Sequence, residues 1–284
     1  MGKINTYKIL YIGVFSESST NTPQAQELCN LGHSVSLFEY RQRDINELKC
    51  VIDNYDILLI AKGGGIDYNI IKEFKKNNIN TKIVYWFCDP LITFKTSPEF
   101  LNKCEVSDII CVDKLSVYNY LKNLNLNVHY ICEGYVPYNV PPQEQIFDAT
   151  FIGNIYNDER RNITNIPKIK CFNNKYNEEH SIVVKQSKIN INICTGQDAS
   201  DRVYKILSSG GFLLTDKWVG MEKMGFQNNI HFITYKNINE IETLINYYLE
   251  NEAERIEIAE RGSTHIKNLN ITVSDWAKNI IKTL

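Results

Sequence analysis

The feature that most constrains this chain is a rhythm that runs twice and breaks once. Short runs of β-branched and aromatic residues, such as KILYIGVF, DILLIA and KIVYWF, alternate with helix-length amphipathic segments. Such alternation specifies βα units around a parallel sheet. In the first half, strands are expected at 8–15, 34–38, 56–61, 82–87, 109–112 and 128–132, and helices at 22–31, 45–51, 68–77 and 116–123. The break is VPYNVPPQ, 136–143, which holds three of the seven prolines and cannot pair inside a central sheet. A second series follows, with strands expected at 149–152, 168–172, 189–193, 212–215 and 231–233. A helix is expected at 239–250, where Ile241, Leu244, Ile245, Tyr248 and Leu249 recur at helical spacing. The next helix is expected to close at Gly262 as its C′ residue. The segment 272–284 is amphipathic, with Trp276, Ile280 and Leu284 at four-residue steps. The reading is an α/β protein of two Rossmann-like, doubly wound domains, 1–138 and 148–271, with helix 272–284 packing back on the first. With 43% hydrophobic and 23% charged residues, the 284-residue chain can bury two cores, and disorder is excluded.

Charge and cysteine usage narrow the function class. Thirty-one Lys plus Arg against 33 Asp plus Glu leave a net charge of -2, so no global basic field attracts nucleic acid, and only a local patch is open to it. The eight cysteines are scattered without a CxxC pair, which argues against a zinc site or disulfide framework and for thiols in a reducing compartment. No apolar run approaches the roughly 18 residues a membrane helix needs, and MGKINTYKILYIGVF runs directly into a strand-like segment. A cytoplasmic protein without a membrane span is expected.

Ligands of doubly wound sheets bind outside the carboxyl ends of the strands, and two such domains on a short linker are expected to form a cleft. The loops that follow strands are therefore the informative ones. After the first strand, Gly13 and SESSTNT precede a helix; glycine and hydroxyls there either receive a phosphate or sugar hydroxyl or form an ordinary N-cap cluster. The pattern is not GxGxxG, which argues against a dinucleotide site. KGGG, 62–65, permits close backbone approach and brings Lys62 to the sheet edge, but lacks a P-loop ending. YWFCDP puts Asp89 beyond the fourth strand, where a carboxylate can orient an acceptor hydroxyl or act as general base, or simply form an Asp-Pro turn. His33, at the opposite edge, reads as structural. In the second half, FIGN ends a strand with Gly153 and Asn154, and Arg160 and Arg161 either bind phosphate or form a solvated helix face. The richest stretch is CTGQDASDRVYKILSSGGFLLTD: a strand ends at Thr195-Gly196, a helix starts near Ser200, and Gly210-Gly211 turn into a strand ending at Thr215-Asp216. Arg202 lies in that helix's first turn, where a guanidinium fork and the positive helix end converge, and a diphosphate is the natural occupant.

The run DRVYKILSSGGFLLTDKWVGMEKM, followed by NYYLENEAERIEIAERG, resembles the C-terminal half of the CgeB-like (spore maturation protein) glycosyltransferases, and FIGN, EGYVP, YWFCDP, LGHSV and ILYIG extend the resemblance over nearly the whole chain. The resemblance implies a GT-B fold of two Rossmann-like domains facing a cleft, the first on the acceptor side and the second holding a nucleotide sugar. It implies Arg202 facing the diphosphate, Thr215 and Asp216 lining the pocket, Glu222 near the donor, and Gly210 and Gly211 shaping the turn beneath. One departure stands out: the family usually has a glutamate where this chain has Lys205, and a lysine cannot accept hydrogen bonds from ribose hydroxyls. Either the nucleotide is held differently, with Lys205 pairing with phosphate or a neighbouring carboxylate, or activity is lost.

The expected function is transfer of a sugar from a nucleotide diphosphate sugar, a UDP-sugar first, to a hydroxyl of a glycan, protein or modified base. Arg202 is expected to stabilise the leaving group and Asp89 to serve as base. No DxD-like pair follows a strand, so a metal-independent site with no tightly bound cofactor is expected. Two alternatives remain: an inactive sugar-nucleotide-binding or partner protein on the same scaffold, and an enzyme that glycosylates DNA bases.

Overall fold

A computed structural model of the protein describes residues 6–52, 55–62, 65–90, 98–194 and 196–284. The chain divides into two compact units, Met1–Glu133 together with Val273–Leu284, and Gly134–Thr272.

The first unit is built on six parallel strands: β1 (Lys8–Gly13), β2 (Ser34–Glu39), β3 (Ile57–Ala61), β4 (Lys82–Phe87), β5 (Ile109–Val112) and β6 (Val128–Tyr130), in the order β2-β1-β3-β4-β5-β6. All residues of β3 and β5 are buried, because helices cover both faces of the sheet. Helix α1 (Asn21–Asn30) lies on one face; α2 (Tyr68–Asn77), α3 (Pro98–Val106) and α4 (Leu115–Asn123) lie on the other. The alternation along β1 sorts its side chains: Leu10 and Ile12 join Phe74 of α2, Phe100 of α3 and Leu121 of α4, while Ile9 and Tyr11 join Leu28 of α1. The same α1 face receives Trp276, Ala277 and Ile280 of the chain's final helix, Val273–Lys282. Trp276 stands beside both Tyr11 and Trp86, with ring centroids 6.5 and 5.6 Å away. His33 accepts a hydrogen bond at Nδ1 from the Tyr7 amide (3.2 Å), which fixes the start of β1 against β2.

The second unit has five parallel strands, β7 (Phe147–Ile152), β8 (Ile169–Phe172), β9 (Ser187–Asn192), β10 (Leu213–Asp216) and β11 (Ile233–Tyr235), in the order β11-β10-β9-β7-β8. Its helices are α5 (Asp158–Ile163), α6 (Asn177–Lys185), α7 (Asp201–Ser208), α8 (Asn239–Glu250) and α9 (Glu252–Asn268); the final helix of the chain is α10. One sheet face is apolar, with Ala149, Phe151, Ile189, Ile191 and Leu214 packed on Ile163 of α5 and on Ile241 and Ile245 of α8. The alternate residues Thr150, Asn190, Asn192 and Thr215 are polar and no more than 1% exposed. Buried polar groups need partners. Thr150 donates to Ser187 (2.9 Å), and the Asn190 amide donates to the Val184 carbonyl of α6 (3.3 Å).

Three sequence expectations need correction. Segment 45–51 is a 3-10 turn, Ile45–Cys50, with Asp44 capping the Asn46 amide, and not an α-helix. Helices α3 and α6 were not expected, because their apolar residues are few and broken by charge. Gly262 does not end a helix: α9 runs through it to Asn268. A Cβ there would collide with the His231 carbonyl oxygen and the Leu207 side chain, so this glycine lets α9 lie close on α7 and the loop before β11.

Candidate functional site

At the carboxyl edge of the second sheet, β7 runs into Gly153-Asn154, β9 into Ile193-Cys194, and β10 ends at Asp216. Helix α7 starts at the same edge, with Ser200 at its N-cap and Arg202 in its first turn. Ser200 makes no side-chain cap; its hydroxyl donates instead to Asn192 Oδ1 at 2.7 Å. The Ser200 hydroxyl therefore does not cap α7, whose positive end faces this edge.

Arg202 bends over β7. Its guanidinium lies 5.0 Å from the centre of the Phe151 ring and donates from Nη1 to Asn192 Oδ1 at 3.0 Å. Gly153 makes room for it: a Cβ at that position would stand 2.6 Å from Arg202 Nη2. Arg160, at the start of α5, converges on the same place. Its guanidinium is 5.6 Å from the Phe151 ring and 4.4 Å from the Tyr156 ring, and it donates to the Asn154 carbonyl (2.9 Å) and the Ile193 carbonyl (3.5 Å). Asn157 at the α5 N-cap accepts from the Arg160 amide and aims that turn. Burial, and then the positive charge of Arg160, holds the Arg202 guanidinium below its ordinary pKa. Two cations beside one ring relax when an anion enters between them. Of the two sequence readings of Arg160, the structure excludes the solvated face, since Arg160 is 5% exposed; Arg161 does face solvent and pairs with Asp158.

Thr215 and Asp216 belong to the same edge. Asn192 Nδ2 donates to Thr215 Oγ1 (2.9 Å), and Asp216 Oδ1 accepts from the Cys194 amide (2.8 Å). Burial pushes the Asp216 carboxyl up. Gly196 follows in a left-handed turn with φ 62°; Thr195 lies outside the described residues. Lys205, one turn into α7, pairs with Asp201 at 2.5 Å. Beside it His180 of α6 is buried and neutral, its pKa pushed down to about 3 by burial and then by Lys205.

Other positions singled out from the sequence lie apart from this group. Gly210 and Gly211 sit at the opposite edge of the sheet, before β10, where a Cβ on Gly211 would stand 2.5 Å from Val184 and 2.8 Å from Asn190 Nδ2. They border a separate cavity of about 470 Å³ with Lys185, Arg255 and Glu260. Glu222 is exposed on a 3-10 turn and pairs with Lys217 at 3.0 Å. Gly13 ends β1 in the first unit, packed against Phe15 and Asn21. The neighbouring hydroxyls are engaged locally, Thr22 with the Ser16 carbonyl (2.9 Å) and Ser19 with Asn21 (3.1 Å).

The carboxyl edge of the first sheet carries its own charges. Lys62 pairs with Asp89 at 2.9 Å, both partly exposed; Gly63 and Gly64 of KGGG lie outside the described residues. Behind them Asp113 and Lys114 form a buried pair at 2.7 Å, and buried Glu133 accepts from Thr20 Oγ1 at 2.7 Å. Burial raises the pKa of Asp113 against the pull of Lys114, and Glu133 adds to the rise. Among the described residues, no three His, Cys, Asp or Glu side chains gather as metal ligands, and no helix is long and apolar enough to cross a membrane.

Residues 142–282 match the family model described as glycosyl transferase-like. This stretch is a glycosyltransferase-like domain. No curated protein sequence matches it significantly. Among solved structures it is similar to HepE of Anabaena, crystallised with UDP-glucose, at TM-score 0.71 and 9% identity over 98% of this chain and 99% of that one. It is similar to a glycosyltransferase from Rickettsia africae at TM-score 0.68 and 12% identity, covering 98% of each chain. The DNA-modifying enzyme β-glucosyltransferase aligns at TM-score 0.64 and 13% identity over 97% of this glycosyltransferase and 99% of that enzyme. At such identities the likeness is one of fold, the GT-B arrangement of two parallel α/β sheets.

Proposed function

We propose that this glycosyltransferase takes its sugar from a nucleotide diphosphate sugar, a UDP-sugar first among them, and that the carboxyl edge of its second unit holds the diphosphate. The observation that carries this reading is the convergence of Arg160 and Arg202 on the Phe151 ring, at 5.6 and 5.0 Å, with Gly153 making room for the Arg202 guanidinium. The bond from the anomeric carbon to the diphosphate oxygen breaks, and the bond to the acceptor oxygen forms. The two guanidiniums and the α7 amides take up the negative charge that develops on the leaving group, so the reaction needs no metal at this edge. Asp89, which pairs with Lys62 at 2.9 Å, is the carboxylate we assign as base for the acceptor hydroxyl's proton. HepE, crystallised with UDP-glucose on the same fold, supports the choice of donor. The motifs DRVYKILSSGGFLLTD and FIGN support a place among the CgeB-like enzymes, and the scattered cysteines without a CxxC pair support a cytoplasmic setting.

The Lys205–Asp201 pair favours one other reading, a binding protein without turnover, because a lysine stands where related enzymes offer ribose a carboxylate. Calorimetric titration with UDP and a turnover assay with UDP-glucose separate the two. A transferase binds UDP and releases it from UDP-glucose in the presence of acceptor. Arg202→Ala should weaken UDP binding by about tenfold or more, the loss of one charged hydrogen bond; unchanged affinity removes Arg202 from the site.

A further inference from the structure

Asn192 ends β9, is 0% exposed, and stands where a strand at the centre of a sheet ordinarily carries an apolar side chain. Both polar atoms of its side chain are engaged, and so is its carbonyl. Oδ1 accepts from Arg202 Nη1 (3.0 Å) and Ser200 Oγ (2.7 Å). Nδ2 donates to Thr215 Oγ1 (2.9 Å) and Cys194 Sγ (3.3 Å). Its carbonyl accepts from Tyr235 OH (2.9 Å). One residue thus ties the ends of β9, β10 and β11 to the first turn of α7. A guanidinium is a flat fork whose use depends on its orientation. Arg202 receives that orientation from two neutral neighbours, the Phe151 face and the Asn192 oxygen, and neither neutralises its charge. An aspartate in the role of Asn192 would orient the fork equally well but would place a negative charge beneath it. The asparagine fixes direction and leaves the positive charge for a ligand. By drawing the Ser200 hydroxyl to itself, Asn192 also keeps that hydroxyl from capping α7.

We infer that Asn192 is a positioning residue for the diphosphate site: it aims Arg202 and holds the Ser200 hydroxyl away from the α7 amides. The inference rests on the proposed assignment of the diphosphate to Arg202, and a double-mutant cycle tests the two separately.

UDP is titrated calorimetrically into the wild type, Asn192→Leu, Arg202→Ala and the double variant, with thermal unfolding recorded for each. Asn192→Leu should weaken UDP by about tenfold, and in the Arg202→Ala background the same change should cost less than about threefold, because the residue acts through the guanidinium. Equal losses in both backgrounds overturn the inference and make Asn192 a fold residue. If Arg202→Ala alone leaves UDP affinity unchanged, or the wild type does not bind UDP, the diphosphate assignment falls and the inference with it. Asn192→Asp preserves volume and both acceptor bonds, and Thr215 can turn its hydroxyl to donate, so this variant folds where the leucine variant fails to. It should keep the Arg202 orientation and so weaken UDP by only about threefold, a Coulombic repulsion of the diphosphate that persists in the Arg202→Ala background. A loss as large as that of Asn192→Leu overturns the inference, because the aspartate keeps both acceptor bonds.

Discussion

The two units solve the same packing problem and treat charge in opposite ways at the same edge of their sheets. In the first, the cations have carboxylates: Lys62 has Asp89, Lys114 has Asp113, and the innermost pair is buried. In the second, Arg202 leans on an amide and an aromatic ring, and Arg160 donates to two main-chain carbonyls. A charge answered inside the protein contributes to the fold, whereas a charge set against neutral dipoles is stabilised chiefly by what arrives later.

The comparison breaks most visibly if the first edge tolerates loss of a partner. Lys114→Met removes the cation from the Asp113 carboxyl, whose side chain is 3% exposed and must then fold protonated, and should cost about 3–5 kcal/mol in urea unfolding at neutral pH. The cost should shrink in acid, because the buried carboxyl, its pKa raised to about 8 by burial, is protonated in the fold from neutral pH down, and the unfolded chain takes up the same proton only as pH falls towards about 4.

His180 sharpens the contrast on the second unit. It stays neutral in the fold, its pKa pushed down to about 3, while the unfolded chain protonates it around 6.5. The unfolded state then binds more protons, so stability falls as pH drops below about 6.5, by up to about 1.4 kcal/mol per pH unit from this residue. His180→Gln should flatten that slope in denaturation series between pH 6.5 and 5; an unchanged slope assigns the acid sensitivity elsewhere.

Arg202→Ala, by contrast with Lys114→Met, should shift unfolding free energy by under about 1 kcal/mol, because it also relieves the repulsion from Arg160. A large destabilisation would erase the distinction between the two edges. The smallest effect is expected for Lys205→Glu. It exchanges a partly exposed ion pair with Asp201 for a like-charge pair and should lower UDP affinity by roughly threefold. A gain in both UDP affinity and sugar transfer would mean that the lysine marks lost activity.

What was legible in the sequence follows from how each element is buried. KIVYWF is expected at 82–87 and is the strand Lys82–Phe87, since a run covered on both faces is apolar throughout. Arg202 was legible because a helix first turn after a strand has one geometry. Arg160 was only half legible: DERR looks like a surface, and its inward turn depends on the Asn157 cap and the two aromatic rings. Asn192 was passed over within ININIC, although asparagine recurring every second residue in an otherwise apolar strand signals a buried polar face. Gly262 was misread because a packing glycine and a terminating one look alike until the neighbouring carbonyl is in view.

The final helix has a consequence for how the chain is made. Trp276 and Ile280 complete one wall of the first unit, yet about 140 residues of the second unit are synthesised between Glu133 and that helix. At ordinary translation speeds, Tyr11 and Trp86 on the growing chain wait on the order of ten seconds for their cover. During that interval the second unit can fold from its own contiguous residues while the first, begun earlier, finishes later. The nascent protein should therefore recruit holdase chaperones to its older half, and shortening the chain before Val273 should turn that passing exposure into a permanent one.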